Sequence, residues 1–393
     1  MLDAGVDGAD FLIACTSRDE VNILSCVLAK KLGAKHTIAR VRDPQYFNEM
    51  ENMREDLGLD LAFNPELQTA LEIERVIKFP SAKSVESFAS GKATMVEFDI
   101  LPGNPIIGKS VMDICREYGN EVLFAMVKRG ENVIIPKGDC IMEANDEVYI
   151  IGSEADIISF TKRLKIFKPK SRSAFIVGGG KIGYYLSKAL IKDGVSVKIM
   201  ESNVARCEEL SQDLPSATIL HGDGTDHNIL EEEGLKNSDA CITLTGMDEE
   251  NVIISLFAKM KNVSKIVTKV DRAIISSMVE QFGLDTIVSP KMVIANQIVR
   301  FVRENQVKVG EGVNTLYMLN DGVEALEFTV KPSFEKVGVP LKNLKIKKNV
   351  LVGGIVRGED FILPSGDTEF ALSDRVILVS AEKQINELKD ILI

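Results

Sequence analysis

Histidine and cysteine are scarce in this sequence of 393 residues, which contains three histidines and six cysteines. No two histidines stand at the spacing of a metal site, no Cys-x-x-Cys pair occurs, and no Ser/His/Asp grouping is present. These absences argue against a zinc centre and against a hydrolytic triad. The plain interpretation of the cysteines is that they are reduced thiols of a cytoplasmic protein.

Long apolar runs and an excess of positive charge are also lacking. No run of 18 apolar residues occurs, and the opening residues lack the basic stretch and apolar core of a signal peptide, so we expect a soluble protein that is not exported. The formal net charge is −11 and the pI is about 5.1. Because phosphate contacts need a dense Lys/Arg face, this composition argues against a nucleic acid partner.

A long internal repeat is the most informative feature of the chain. Residues 9–22 reappear in modified form as residues 238–251, and both segments end in Asp-Glu-x-Asn. Further along, a Pro-x-Gly-Asp motif at residues 136–139 corresponds to the same motif at residues 364–367. One module therefore occurs twice, and each copy spans two subdomains.

The two copies differ at their start. The second copy begins near Arg172, whereas Met1 aligns near Leu230, well inside that copy. The first copy lacks its opening half, and a parallel sheet without its first strands would expose an unpaired edge. We therefore expect the chain to be a fragment or to have its start placed late.

Apolar runs of buried-strand length alternate with helical periodicity in both copies, which predicts parallel sheets with helical crossovers. The second copy has enough elements for a Rossmann-like order. The predicted strands and helices, in chain order, are strand 11–16, helix 21–32 and strand 36–41 in the first copy, and strand 175–177, helix 184–191, strand 196–200, helix 207–213, strand 218–220, strand 240–245, helix 252–261 and strand 265–270 in the second.

The sequence changes character over residues 93–150 and 325–379, where short β-rich runs are separated by turn residues. Hairpins are predicted around Gly130 and Gly358, and a short helix at residues 110–117 precedes the first of them. The predicted fold class is α/β, with tandem Rossmann-like domains built on parallel sheets, each followed by a small α+β lobe.

Residues 178–183 fit the pattern G-x-G-x-x-G between a predicted strand and a predicted helix. The first glycine permits a tight turn, the second lets the backbone approach a pyrophosphate, and the third lets the helix pack on the sheet. The N–H groups at the helix start would receive the phosphates. A carboxylate at the end of the next strand can accept ribose hydroxyls and would repel a 2′-phosphate, which favours NAD over NADP. The candidate cofactor-binding residues are Gly178, Gly179, Gly180, Lys181, Ile182, Gly183 and Glu201.

Further polar residues end the neighbouring strands at the edge where open α/β sheets bind ligands. Asp223, followed by Gly224, is placed to meet an adenine amino group, or it is a turn residue that bonds its own backbone. Thr245 lies beside the same crevice, and Lys269 would offset phosphate charge. The alternatives for these two residues are strand capping and an ordinary surface charge.

In this order the motifs resemble those of the cytosolic KTN/RCK regulators of potassium channels and transporters, in particular their two-copy Trk-type members. The glycine loop, Glu201, the Gly-Asp-Gly-Thr run at 222–225 and the motif at 248–251 are similar to the nucleotide domain of that family. The resemblance implies tandem KTN/RCK-N domains, each followed by an RCK-C lobe. We place the nucleotide domains at 1–87 and 174–308, the lobes at 88–166 and 309–393, and a linker at 167–173.

The resemblance further implies a switch that is not an enzyme. NAD or NADH, or ATP and ADP, would bind in the crevices of a ring of these domains and change its shape. The ring would thereby gate potassium flow through a membrane-embedded potassium transporter subunit of the TrkH/TrkG type. The regulator would be a homo-oligomer of four subunits, cytoplasmic and peripheral at the inner face of the cell membrane. An apolar stripe on the predicted helix 291–302 belongs to the core or to an oligomer face, with the core favoured.

Only Thr16 and Arg40 carry over to the nucleotide site of the first copy, because its glycine loop and its acidic ribose partner have no match here. We expect that site to bind weakly or not at all. Two other functions stay open. One is an NAD-dependent dehydrogenase whose small lobe holds the substrate, and the other is a nucleotide-binding gating subunit of another ion transport system.

Overall fold

A computed structural model describes the chain except for residues 55, 273, 276–278, 280–281, 285, 307–312, 320–321 and 383–384. The described residues form two compact units, one from Met1–Lys78 with Ser171–Gln297 and one from Phe79–Lys170 with Ile298–Ile393. None of the helices in the described part of the chain combines the length and the apolar character that a membrane crossing requires.

Strands and helices alternate through the first unit, and strands dominate the second. The strands are β1 (Phe11–Ala14), β2 (His36–Arg40), β3 (Leu61–Phe63), β4 (Ser84–Phe88), β5 (Ala93–Asp99), β6 (Leu123–Arg129), β7 (Asn132–Ile134), β8 (Glu147–Gly152), β9 (Ser173–Val177), β10 (Ser196–Glu201), β11 (Thr218–His221), β12 (Ala240–Thr243), β13 (Lys265–Lys269), β14 (Ile287–Val288), β15 (Thr315–Met318), β16 (Glu324–Thr329), β17 (Val350–Arg357), β18 (Asp360–Ile362) and β19 (Arg375–Ser380). The helices are α1 (Asp19–Leu32), α2 (Pro44–Met53), α3 (Pro65–Lys78), α4 (Val111–Tyr118), α5 (Glu154–Arg163), α6 (Lys181–Lys192), α7 (Val204–Asp213), α8 (His227–Glu232), α9 (Asp248–Met260) and α10 (Pro290–Gln306).

The larger sheet of the first unit is parallel, with the strand order β11-β10-β9-β12-β13-β14. This is the Rossmann order, with the first strand of the copy at the centre, and it confirms the predicted fold class. Side chains of β9 and β12 are buried because strands of a parallel sheet are covered on both faces. The apolar runs of the sequence reflect this double coverage.

The smaller sheet of the first unit has the order β1-β2-β3 and is also parallel. The prediction that residues 11–16 form a buried strand is wrong in part, because the strand ends at Ala14 and Cys15 and Thr16 are exposed. Within the strand, Ile13 is 45% exposed, whereas its counterpart Ile242 is fully buried. Ile242 packs with Leu186 of α6, and β1 has no counterpart of that helix among the described residues. Within the described chain β1 pairs only with β2.

Helix α3 of the first copy packs directly against helix α6 of the second copy. Apolar side chains of α3, including Ile73 and Ile77, join Leu186 and Leu190 of α6 in one buried cluster. At the start of α3, the buried Asn64 donates a hydrogen bond from its amide to the Tyr185 hydroxyl over 3.1 Å. The helix that follows the glycine loop is therefore packed against the first copy.

The second unit contains two antiparallel sheets, β4-β5-β8-β6-β7 and β15-β16-β19-β17-β18. The predicted hairpins are present as β6–β7 and β17–β18, and their turn residues Gly130 and Gly358 have φ of 59° and 62°. Such positive φ angles fit the tight turns of two-residue hairpins.

Each lobe also contains an arginine bound to a buried aspartate. Arg129 binds Asp146 through two 2.8 Å hydrogen bonds, and Arg357 binds Asp374 in the same way in the second lobe.

The predicted boundary between residues 87 and 88 falls inside β4, which pairs with β5, so this strand crosses it. Strand β9 begins within the predicted linker at 167–173. The predicted boundary at 308 and 309 lies outside the described residues. On α10, Val293 packs against the buried cluster of the first unit, whereas Val299 is 39% exposed, so the apolar stripe belongs to the core only in part.

Candidate functional site

The glycine loop connects β9 to α6 with the geometry that its three glycines require. Gly178 has a φ of 111°, and a Cβ there would lie 2.7 Å from the Leu244 carbonyl oxygen. A Cβ at Gly183 would overlap the Gly178 carbonyl oxygen. By contrast, a Cβ at Gly180 would meet nothing within 4 Å. The first and third glycines are needed for the turn and the packing, while the second leaves open space in front of the helix.

Gly180 is the N-cap of α6 and provides no side-chain capping bond. The first N–H groups of a helix have no intrahelical partners, and the helix dipole adds partial positive charge there. Such a helix start is an anion-binding site when a ligand can approach it. The open space at Gly180 provides that approach.

A cavity of about 290 Å³ lies in front of this loop, at the carboxyl ends of β10, β9 and β12. Of the predicted residues, Gly178, Gly180, Glu201, Asp223, Gly224 and Thr245 line it. The predicted residues of the same segment that are outside this lining belong to the adjoining loop and helix, and they are Gly179, Lys181, Ile182 and Gly183. Gly222 and Thr225, which belong to the Gly-Asp-Gly-Thr run noted in the sequence, also line the cavity. The lining residues that were not among the predicted site residues or in that run are Val177, Met200, Ser202, Leu244, Gly246 and Glu250.

Glu201 ends β10 at the wall of the cavity, and two backbone bonds orient its carboxylate. One oxygen accepts from the Gly179 N–H over 2.9 Å, and the other accepts from the Asn203 N–H over 2.8 Å. The carboxylate thus joins the glycine loop to the start of α7. Its contact with ribose hydroxyls stays a prediction.

Asp223 forms the turn that was the alternative to an adenine contact. One carboxylate oxygen accepts from the Thr225 N–H and hydroxyl, at 2.9 and 2.8 Å. These hydrogen bonds from Thr225 lower the pKa of Asp223. The residue stays exposed in the cavity wall, so its contact with adenine remains a prediction.

Thr245 is held by the buried Asn251, the last residue of the Asp-Glu-x-Asn motif. The Asn251 amide oxygen accepts from the Thr245 N–H over 2.8 Å, and its nitrogen donates to the carbonyls of Thr245 and Lys269, at 3.3 and 3.1 Å. The ammonium of Lys269 in turn donates to the Thr245 carbonyl over 3.1 Å and lies 3.3 Å from Asp271. Lys269 therefore lies behind the wall and clamps the ends of β12 and β13 together.

The first copy repeats this clamp in the other sheet. The Asn22 amide accepts from the Thr16 N–H over 2.7 Å and donates to the Arg40 carbonyl over 2.9 Å, while the Arg40 guanidinium donates to the Thr16 carbonyl. The structure thus places Thr16 and Arg40 beside each other and apart from the glycine-loop cavity. The repeated Asp-Glu-x-Asn motif is a structural clamp in both copies.

The first residue of that motif is equally structural. The Asp248 carboxylate accepts from the N–H groups of Asp271 and Arg272, and Asp19 accepts in the same way from Arg42 and Asp43. Burial raises the pKa of Asp248, but these hydrogen bonds outweigh it and lower the pKa overall. Both aspartates tie the first turn of a helix to the segment that follows the next strand.

Two family models match most of the chain in two copies each. The TrkA-N domain matches residues 1–65 and 174–290, and the TrkA-C domain matches residues 95–165 and 325–393. The exact limits of the four domains stay a prediction.

Relatives of known family match nearly the whole chain. The Trk system potassium uptake protein TrkA homolog of Archaeoglobus fulgidus is 35% identical over 391 residues, which cover 99% of this chain and 86% of that protein. Homolog 2 of Methanosarcina mazei is 33% identical over 97% of this chain and 85% of its own length. TrkA of Halomonas elongata is 31% identical over 97% and 83%.

Solved structures share the fold at low sequence identity. The GsuK channel is 17% identical, with a TM-score of 0.59 over 96% of this chain, and the GsuK channel bound to NAD is 18% identical, with a TM-score of 0.58 over 95%. The chain spans 65% of the length of each of these channel chains. The chain belongs to the TrkA family of Trk system potassium uptake proteins and carries the TrkA-N and TrkA-C domains of that family in tandem.

Proposed function

We propose that the chain is a nucleotide-sensing regulatory subunit of a Trk-type potassium transport system. The observation that carries this proposal is the cavity at the glycine loop, where the open start of α6 faces the oriented carboxylate of Glu201. A phosphate-binding helix start next to a ribose-binding carboxylate is the arrangement that an adenine dinucleotide requires. Membership of the TrkA family supplies the potassium transport context.

The ligand is NAD or NADH, with ATP and ADP as the other nucleotides that the same groups would hold. The Gly178–Gly183 loop residues would receive the phosphates, Glu201 the ribose, and Asp223 with Gly224 the adenine side. Thr245 would contact the far half of the ligand, with Lys269 acting through it. A solved channel of the same fold bound to NAD is consistent with this assignment.

The function is regulatory and not enzymatic in this proposal. A switch needs a ligand that binds two conformations with different affinity, and it needs no group that reacts with that ligand. The described wall of the cavity offers backbone amides, hydroxyls and carboxylates but no histidine, lysine or cysteine. These groups can bind and orient a nucleotide.

The subunit would act as a homo-oligomer of four at the cytoplasmic face of the membrane, bound to a TrkH/TrkG-like potassium transporter subunit that it gates. The half-exposed apolar stripe of α10 is the candidate oligomer face. In this assignment the nucleotide domains are residues 1–87 and 174–308, and the lobes are 88–166 and 309–393. The first nucleotide site, at Thr16 and Arg40, would bind weakly or not at all.

The test is potassium flux through the reconstituted membrane partner, with and without this chain, in the presence of NAD, NADH, ATP or ADP. We expect flux to change only when the chain and one of the nucleotides are both present, and we expect the nucleotide to be recovered intact. Steady consumption of NADH with a hydroxy or keto acid would support the dehydrogenase instead. If the potassium flux is the same with and without the chain at every nucleotide concentration, the proposal is contradicted.

A further inference from the structure

Glu250 occupies a position in the cavity that the functions above leave unassigned. It lies in the first turn of α9, after β12, and lines the cavity on that side. Glu201 lines the opposite side, after β10, and the glycine loop follows β9 between them. A nucleotide with its ribose on Glu201 and its phosphates on the loop therefore extends toward Glu250.

The carboxylate of Glu250 makes no hydrogen bond or ion pair with any residue that the structure describes. The other acidic groups of the cavity wall and of this helical turn are engaged: Glu201 and Asp248 accept from backbone N–H groups, Asp223 accepts from Thr225, and Glu249 pairs with the Arg272 guanidinium. Glu250 is half-buried in the wall, so its charge is screened less than that of an exposed carboxylate. The negative charge of Glu250 can therefore attract or repel a charged group of a ligand in the cavity.

The internal repeat shows that the start of the helix does not require this residue. Asp248, Glu249 and Asn251 are matched by identical residues in the first copy, but the position of Glu250 is taken there by Val21. Helices α1 and α9 begin at the matching residues Asp19 and Asp248, although α1 has Val21 where α9 has Glu250. Glu250 thus belongs to the copy in which the structure describes the glycine-loop cavity, and the first copy has an apolar residue at this position.

Charge in the cavity wall decides which ligand group suits the Glu250 side. Three carboxylates line the cavity, those of Glu201, Asp223 and Glu250, and no Lys or Arg is among the described lining residues. The nicotinamide ring of NAD is a cation, that of NADH is neutral, and the terminal phosphate of ATP is an anion. A carboxylate attracts the first of these groups and repels the last.

We propose that Glu250 is a specificity-determining residue. Through its carboxylate, the affinity of the site depends on the charge of the half of the nucleotide that lies farther from Glu201. The site accordingly ranks oxidised NAD above NADH, and both above ATP. This inference rests on the proposed nucleotide-binding function and adds to it the oxidation state of the ligand. The chain would thereby respond to the ratio of oxidised to reduced NAD.

Titration calorimetry with NAD, NADH and ATP tests this on the full chain, in low salt with EDTA so that ATP keeps its full charge. For Glu250→Gln we expect the preference for NAD over NADH to fall about tenfold, which corresponds to about 1.4 kcal/mol, with ATP binding more tightly than before. Glu250→Val, which introduces the residue of the first copy, gives the same change. The matched control Glu249→Gln, in the same helical turn but outside the cavity wall, keeps the wild-type ranking.

Two results would overturn the inference in distinguishable ways. If wild type binds nucleotides but Glu250→Gln and Glu250→Val keep every affinity ratio, Glu250 does not read charge and the proposed function stands. If wild type binds none of the three nucleotides, the proposed function fails together with the inference.

Discussion

Asn251 and Asn22 provide a comparison within one chain, because both clamp a threonine and the threonine held by Asn251, Thr245, lines the glycine-loop cavity. Each is fully buried and bonds the N–H of a threonine and the carbonyl of a residue on the next strand. Replacement by alanine removes the three hydrogen bonds of Asn251 and leaves backbone groups without a partner. We therefore expect both Asn251→Ala and Asn22→Ala to destabilise the first unit.

The size of the effect follows from the number of bonds. A net value of about 1 kcal/mol for each hydrogen bond predicts a loss of about 3 kcal/mol in the free energy of unfolding for Asn251→Ala. Asn22→Ala should lose at least as much, since Asn22 makes the same three bonds and also accepts a hydrogen bond from the Thr16 hydroxyl over 2.7 Å. Urea unfolding followed by circular dichroism measures both, and a shift of the midpoint at constant slope identifies a true change in stability.

Nucleotide binding separates the two variants. Asn251→Ala releases Thr245, which lines the cavity, so its affinity for NAD should fall, whereas Asn22→Ala should bind NAD as wild type does. The binding measurement is made well below the unfolding midpoint of each variant. If Asn251→Ala is as stable as wild type, the hydrogen bonds of Asn251 do not stabilise the first unit. If both variants lose NAD affinity equally, NAD binding does not depend on the glycine-loop cavity alone.

Two further predictions concern the first unit. Tyr185→Phe removes the acceptor of the Asn64 amide between the two copies, so the free energy of unfolding should fall by about 1 kcal/mol, and an unchanged urea midpoint would contradict this contact. Burial raises the pKa of Cys26 and of Cys241 to about 12, so iodoacetamide at pH 8 should label the exposed Cys15 first. Mass spectrometry that finds the two buried thiols labelled as fast as in urea would show that these cores open readily.

The sequence was sufficient for the fold because the repeat and the apolar runs have direct physical causes. A run such as that of β12 reflects a strand covered on both faces, and the glycines of the loop reflect one turn and one close approach. The family resemblance then assembled these elements in the correct order. Strand order, hairpins and the location of the cavity were predictable in this way.

Features that depend on contacts distant in sequence were not predictable. The exposure of Ile13 depends on which element covers its face of the sheet. The apolar sequence around Ile13 is typical of a buried strand and does not indicate this exposure. The Lys269 ammonium points to the Thr245 carbonyl, which a strand-end position cannot reveal. For Glu250 a signal did exist, because the repeat aligns it with Val21.

The central claim is that the start of α6 binds the phosphates of an adenine dinucleotide, and Gly180→Asp tests it most directly. Gly180 has φ −64° and ψ −170°, which other residues adopt, and its Cβ position is open, so the variant should fold as wild type does. Its carboxylate would stand in front of the helix start and repel the phosphates.

Titration calorimetry with NAD should show affinity falling on the order of 100-fold for Gly180→Asp, equivalent to about 2.7 kcal/mol, and falling less for the uncharged control Gly180→Asn. Circular dichroism establishes that both variants are folded. Equal affinity of wild type and a folded Gly180→Asp for NAD would contradict the claim, because the loop would then be a turn without a ligand.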